Sequence, residues 1–218
     1  MRVKLKAKPT PKRPYHHGDL KKALLAEALA QISANGAQAL SLREVARATG
    51  VSHTSAYRHF PNKESVLATI AEQGFRTLTD MMRAASKTHL DDPVEALLAS
   101  GIAYVDFAVS FPEHLQVMFG GLIASKGDYP SLLEASLDAF GVLESLVRAG
   151  QEQGMIRGNE ARVVALAAWA QVHGLALLIA SGELGPSPAV ALDHRALAAA
   201  IVGLQRDGLA TDRARYKS

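Results

Sequence analysis

The stretch from Ser41 to Pro61 constrains this chain most, because it spells out two short helices joined by a tight glycine turn. Ser41-Leu42-Arg43-Glu44 has the S-x-x-E form of a capping box. In such a box the serine hydroxyl accepts a bond from a first-turn backbone N–H, and the glutamate reaches back to the serine's own N–H. Leu42, Val45 and Ala46 then fall on the inward face of a helix running to about Ala48. Thr49-Gly50-Val51 breaks that pattern with a residue able to take the left-handed conformation, and Ser52 can cap a second helix ending near Phe60-Pro61. Two such helices make a helix-turn-helix if they pack through small residues, and Ala46, Gly50, Val51 and Ala56 are small.

The flanks read as helix throughout. From Asp19, the residues Leu20, Leu24, Leu25, Ala28, Leu29 and Ile32 recur at helical spacing up to the stop at Asn35-Gly36. Asn62 can cap a long helix to about Ser86, with Val66, Leu67, Ile70, Phe75, Leu78, Met81 and Met82 as its apolar positions, expected to link head to body. Asp92-Pro93-Val94-Glu95 starts the next helix, which extends to about Ser110. Pro112 opens a short one to Phe119, Pro130 another to Gln153, Asn159 caps one through Ala180, and a last helix spans roughly Asp193 to Arg206. No segment alternates at period two for long enough to argue a strand. The expected fold is all-α, a three-helix helix-turn-helix head on a C-terminal helical bundle, about nine helices in all, without internal repeats.

The net charge of +3 hides an asymmetry. Residues 1–63 hold twelve Lys/Arg against three Asp/Glu, a net of +9, whereas the remainder holds twelve against eighteen, a net of −6. A basic head suits a polyanion, because Lys and Arg that neutralise phosphates release counterions and supply most sequence-independent DNA affinity. The expected division is a flexible basic arm over 1–14, a DNA-binding domain over 15–63, and an effector-binding and dimerisation domain over 64–218. No run of about eighteen uncharged apolar residues is expected, and the N-terminus lacks an apolar secretory core, so a cytoplasmic protein is expected. Without cysteine there is neither a disulfide nor a thiolate site. No metal-spaced His/Glu set and no phosphate-cradling glycine loop presents itself, so the reading is a non-enzyme without cofactor. His16-His17 is a poor metal pair, since adjacent residues point apart on a helix.

Three runs carry a resemblance: Leu40-Ser41-Leu42-Arg43-Glu44-Val45-Ala46, then Gly50-Val51-Ser52, then Tyr57-Arg58-His59-Phe60-Pro61-Asn62-Lys63-Glu64-Ser65-Val66-Leu67. Over roughly residues 18–67 the chain resembles the TetR family of bacterial repressors. Tyr15-His16-His17-Gly18-Asp19-Leu20 resembles the entry to the first helix in many such regulators, and Trp169-Ala170-Gln171-Val172-His173-Gly174 resembles the Trp-His-Gly feature of one subgroup's C-terminal domain. The resemblance implies a ligand-responsive homodimer on a palindromic operator, with half-sites about one helical turn, roughly 34 Å, apart. Ser55-Ala56 stand where a threonine and a larger apolar residue often occur in the family, which leaves the fold intact and the operator unreadable.

A recognition helix offers its N-terminal residues to base edges, here His53, Thr54 and Ser55, with Arg58 one turn on to read guanine or hold a phosphate. Tyr57 and His59 resemble the family's phosphate contacts. Lys63 adds charge to the N-terminus of the long helix, and Ser41 and Arg43 stand where the preceding helix approaches the DNA backbone. Ser41 and Ser52 serve as caps in any case, and Tyr57 and Phe60 can also pack the head. The Ala-, Val- and Leu-rich last two helices are the expected homodimer surface, which the resemblance builds as an intersubunit four-helix bundle; the alternative is burial of this apolar area inside a single subunit. The resemblance also places a small-molecule effector among the middle helices. Its candidate residues are Tyr104, Phe107, Phe111, Leu115, Met118, Phe119, Phe140, Trp169 and His173, although an aromatic stripe at helical spacing equally builds a core. Gly174 is expected to permit close helix approach beside Trp169 and His173. The rival reading is an all-helical ligand-binding or scaffold protein without operator binding, against which Arg43, Arg58 and Lys63 argue.

Overall fold

The caps and breakers in the sequence set the helix ends. The computed structural model describes residues 17–158, 160–184 and 193–209. Along these run α1 (His17–Asn35), α2 (Leu42–Ala48), α3 (His53–His59), α4 (Lys63–Ser86), α5 (Pro93–Ser110), α6 (Pro112–Phe119), α7 (Pro130–Glu152), α8 (Ala161–Ala180) and α9 (His194–Leu209). Short 3-10 turns at Ala37–Ala39, Lys87–His89 and Lys126–Asp128 join them, and no strand occurs among the described residues. The arm expected over 1–14, together with Tyr15 and His16, lies outside the described residues.

Two details of capping differ from expectation. Ser41 accepts from Glu44 N at 3.4 Å, but the Glu44 carboxylate turns to Arg47, 2.7 Å away on the same exposed face, so only half of that box forms. The reciprocal box lies instead at the start of α4, where Asn62 Oδ1 accepts from Ser65 N at 2.8 Å and Ser65 Oγ accepts from Asn62 N at 3.3 Å. At α8 the cap position belongs to Glu160, and Asn159 lies outside the described residues.

A single apolar core runs from Leu20 in α1 to Val202 in α9. Helix α4 is its spine, lying against α1 at the head and against α5, α6 and α7 in the body. Helix α5 is enclosed by α4, α7, α8 and α9. Its antiparallel pairing with α9 is fixed at both ends: Asp106 meets Arg195 at 3.0 Å and His194 at 3.2 Å, and Glu95 meets Arg206 at 3.6 Å. Gly101 makes the crossing of α5 with α8 and α9 tight, since a Cβ there would lie 3.2 Å from Val172 Cγ1 and 3.3 Å from Val202 Cγ2. The close approach expected at Gly174 is absent within the subunit, where a Cβ would meet nothing within 4 Å.

Helices α5 and α8 are each long and apolar enough to cross a bilayer by length and composition. The expectation of no such stretch therefore fails for α8, because from Val163 to Ala180 it holds no Asp, Glu, Lys or Arg, only Gln171 and His173 interrupting its apolar character. The core explains α5, of which 61% of the apolar window is buried, whereas only 33% of the α8 window is.

Candidate nucleic-acid interface and body cavity

The head presents its basic residues outward from an apolar hinge. Gly50 takes φ 70° between α2 and α3, and Val51 N donates to Ala46 O at 3.0 Å, folding α3 back across α2. Ala46 and Ala56 are buried between them, and Ser52 Oγ caps α3 by accepting from Ser55 N at 3.1 Å. Phe60 is buried in the head, with the Lys21 ammonium 5.7 Å from its ring centroid. This leaves Arg43, His53, Thr54, Tyr57 and Arg58 exposed and Ser41, Ser55, His59 and Lys63 half-buried, so the structure brings all nine expected residues to the α2–α3 side of the head and the start of α4. The His53 and Tyr57 rings lie 4.3 Å apart, one turn along α3. Lys63 donates from Nζ to Gln38 O, which fixes its stem against the 3-10 turn while its other N–H donors remain for an anion. Arg47 was missed. It is exposed one turn beyond Arg43, and with Arg43 and His53 it borders a hollow between α2 and α3. Its spacing of four from Arg43 was the available signal.

The body holds a cavity of about 260 Å³ walled by α4, α5, α6, α7 and α8. Of the expected residues, Tyr104, Phe119, Phe140 and Trp169 line it. Phe119 and Trp169 are 5.9 Å apart, and Phe140 and Trp169 meet edge-on at 6.2 Å. Leu115, Phe119 and His173 border a second, more open groove between α1, α6 and α8. Phe107 and Met118 are buried core residues, and Phe111 packs between Phe107 at 5.4 Å and His114 at 5.8 Å, so these three line neither space.

His173 Nδ1 lies 2.8 Å from Tyr104 Oη, which joins the two spaces through one polar contact. Burial pushes the Tyr104 phenol above its usual range, with the Trp169 side chain offsetting this in part, and burial lowers the His173 imidazole below its usual value. The pair is therefore neutral at pH 7. Sequence reasoning missed the α4 wall, Phe75, Leu78 and Met82, and the two cations at the rim, Lys126 and Arg162. The α4 residues were legible as an apolar stripe without a sign of which members face a void. Lys126 reaches the rim only through the fold of the α6–α7 loop.

Among the described residues, polar contacts tie α1 to α6 and the α6–α7 loop to the start of α4. Ser33 Oγ in α1 donates to Glu113 Oε1 in α6 at 2.6 Å, and Ala124 N in the α6–α7 loop donates to Glu64 Oε1 in the first turn of α4 at 3.0 Å.

Two family profiles match the chain: "Bacterial regulatory proteins, tetR family" over residues 24–70, and "Tetracyclin repressor-like, C-terminal domain" over residues 97–204. The chain belongs to the TetR family. It is accordingly a DNA-binding transcription regulator and not an enzyme. Among solved structures, a Rhodococcus sp. RHA1 protein of unknown function is 32% identical, with 92% of this chain and 100% of that one covered and a TM-score of 0.78. A tetR-family regulatory protein from Rhodococcus RHA1 is 22% identical over 88% of this chain and 98% of that one, with a TM-score of 0.70. AibR, in complex with isovaleryl coenzyme A and operator DNA, is 21% identical over 84% of this chain and 96% of that one, with a TM-score of 0.65. No protein of curated function matches this TetR-family chain in sequence.

Proposed function

We propose that this TetR-family regulator is a homodimeric repressor that holds a palindromic operator through α2, α3 and the start of α4, and lets it go when a small molecule fills the body cavity. One observation carries this reading: α4 begins at Lys63, one of the expected DNA contacts, and contributes Phe75, Leu78 and Met82 to the cavity wall further along the same element. The proposed division is a basic arm over 1–14, a head over 15–63 and a body over 64–218, with the boundary in the first turn of α4. The same fold in AibR accommodates both isovaleryl coenzyme A and operator DNA. The Trp-His-Gly likeness at Trp169, His173 and Gly174 is part of this reading, as is action in the cytoplasm, where operator DNA lies.

A ligand that fits the cavity better when the heads are spread shifts the population away from the DNA-competent state by no more than its differential affinity for the two states. The Ala124–Glu64 bond gives the α6–α7 loop a direct hold on the start of α4. The dimer is assigned to α8 and α9, which expose Val163, Leu166, Leu177, Leu178 and Leu204. The test is fluorescence anisotropy with the full chain on the DNA upstream of its own gene across a salt series. Binding should weaken steeply with salt, and the Arg43→Ala and Arg58→Ala variants should each lose roughly tenfold or more. Absence of binding at low salt by an intact dimer would return the chain to the rival reading, a ligand-binding protein without an operator.

A further inference from the structure

The cavity is apolar on its walls and carries an unmet positive charge at its rim. Lys126 is half-buried, with Nζ 4.5 Å from the centroid of Phe75 and 5.8 Å from that of Phe119. Among the described residues no carboxylate forms an ion pair with it. Burial lowers its pKa below the ordinary lysine value, and no acidic group opposes that shift. The second rim cation is already engaged: Arg162 lies 3.8 Å from Glu144 and 5.3 Å from the Phe140 centroid. Aromatic faces attract an ammonium, but more weakly than a carboxylate brought against it in a partly dry site.

We propose that the cavity takes a compact hydrophobic carboxylic acid, its apolar body among Phe75, Phe119, Phe140 and Trp169 and its carboxylate against the Lys126 ammonium. The proposal rests on the reading that this cavity is the effector site. A neutral apolar ligand would cover the ammonium further without giving it a partner, which costs free energy, and a cationic ligand would meet like charge. The size of the ligand follows from the volume. A cavity of about 260 Å³, just below the usual range for small-molecule pockets, suits a compact ligand. Lys126 sits two residues beyond Ala124, whose N–H is held by Glu64, so an anion that draws Lys126 inward pulls on the loop tied to the start of α4.

Trp169 is the only tryptophan in the chain and lines the cavity, so its emission reports occupancy directly. The full-length protein is titrated with octanoate and 3-phenylpropanoate, and in parallel with the primary amides of the same acids. The acids should bind about tenfold or more tightly than the amides. Lys126→Met should remove that gap by weakening the acids alone, while Lys126→Arg should keep it, with thermal melts establishing that both variants fold. Equal affinity for acid and amide, or an acid preference that survives Lys126→Met, overturns the proposal. If neither acids nor amides perturb Trp169, the cavity reading falls and the proposal with it. If the acids bind through Lys126 but leave the operator complex intact, the assignment of Lys126 stands and the release mechanism fails.

Discussion

His173 is the residue on which the body's polar chemistry turns. It holds Tyr104 Oη at 2.8 Å and packs its ring 4.4 Å from Phe119 and 5.5 Å from Trp169. Because burial lowers its pKa from the ordinary 6.5, the unfolded chain takes up this proton at a higher pH than the folded one. Between the two pKa values the unfolded state binds more protons, so stability is full above about pH 6.5 and falls as the pH drops through that window. His114 in α6 acts in the same direction, its burial outweighing the opposing charge of Glu113. The melting temperature should therefore decline between pH 7.5 and about 5.5, and His173→Asn should flatten that slope in circular-dichroism melts. An unchanged slope in the variant would remove His173 as a source. Sequence showed His173 and Trp169 as neighbours on one helical face, whereas Tyr104 stands 69 residues away and only the packing of α5 on α8 brings it in. Lys126 was illegible for a related reason: a lone lysine in an irregular loop has no period, and its place over Phe75 and Phe119 depends on where that loop lands.

At the scale of elements, legibility followed local chemistry. Ser52, Asn62 and Asp92 cap the helices the sequence assigns to them, because a cap is a contact between residues two or three apart and needs no tertiary information. The half-formed box at Ser41 departs from expectation where Arg47 competes for Glu44. The turn between α2 and α3 depends on the backbone of Gly50. Its φ of 70° lies in the left-handed region, yet a Cβ there would meet nothing within 4 Å, so a substitution costs backbone strain alone. Gly50→Ala should therefore destabilise by about 1–2 kcal/mol, and Gly50→Val by more, since a branched side chain tolerates this region least. Urea titration measures the difference. A neutral Gly50→Ala would mean that the turn relaxes to another conformation, and operator affinity should then fall, because α3 would no longer be held across α2 at the same angle.

For the whole molecule, the sequence's charge asymmetry and the structure's exposed apolar stripe on α8 mark two surfaces, and a two-fold dimer needs both. Val163, Leu166, Ala170, Gly174 and Leu177 follow one another at steps of three and four along α8. Val163, Leu166 and Leu177 are exposed by 63%, 49% and 45%, and Leu178 beside them by 47%. Such a stripe, sustained over the whole helix, is the surface to which we assign the subunit contact. Gly174 sits in mid-stripe with open space beyond its Cα, so the close approach that the subunit itself does not use is available to a partner helix. Two variants separate this from a merely apolar surface. Leu177→Glu should shift the protein from dimer to monomer by light scattering, because a charge buried in an apolar contact has no partner there. Gly174→Leu replaces a poor helix former with a good one, so the isolated subunit should fold at least as well, while the dimer should loosen from steric overlap. Both variants should then lose affinity for a full palindrome yet bind an isolated half-site as the parent does, since the head is untouched and only the linkage between heads is broken. A Gly174→Leu protein that stays dimeric and binds the palindrome normally would move the subunit contact off this stripe.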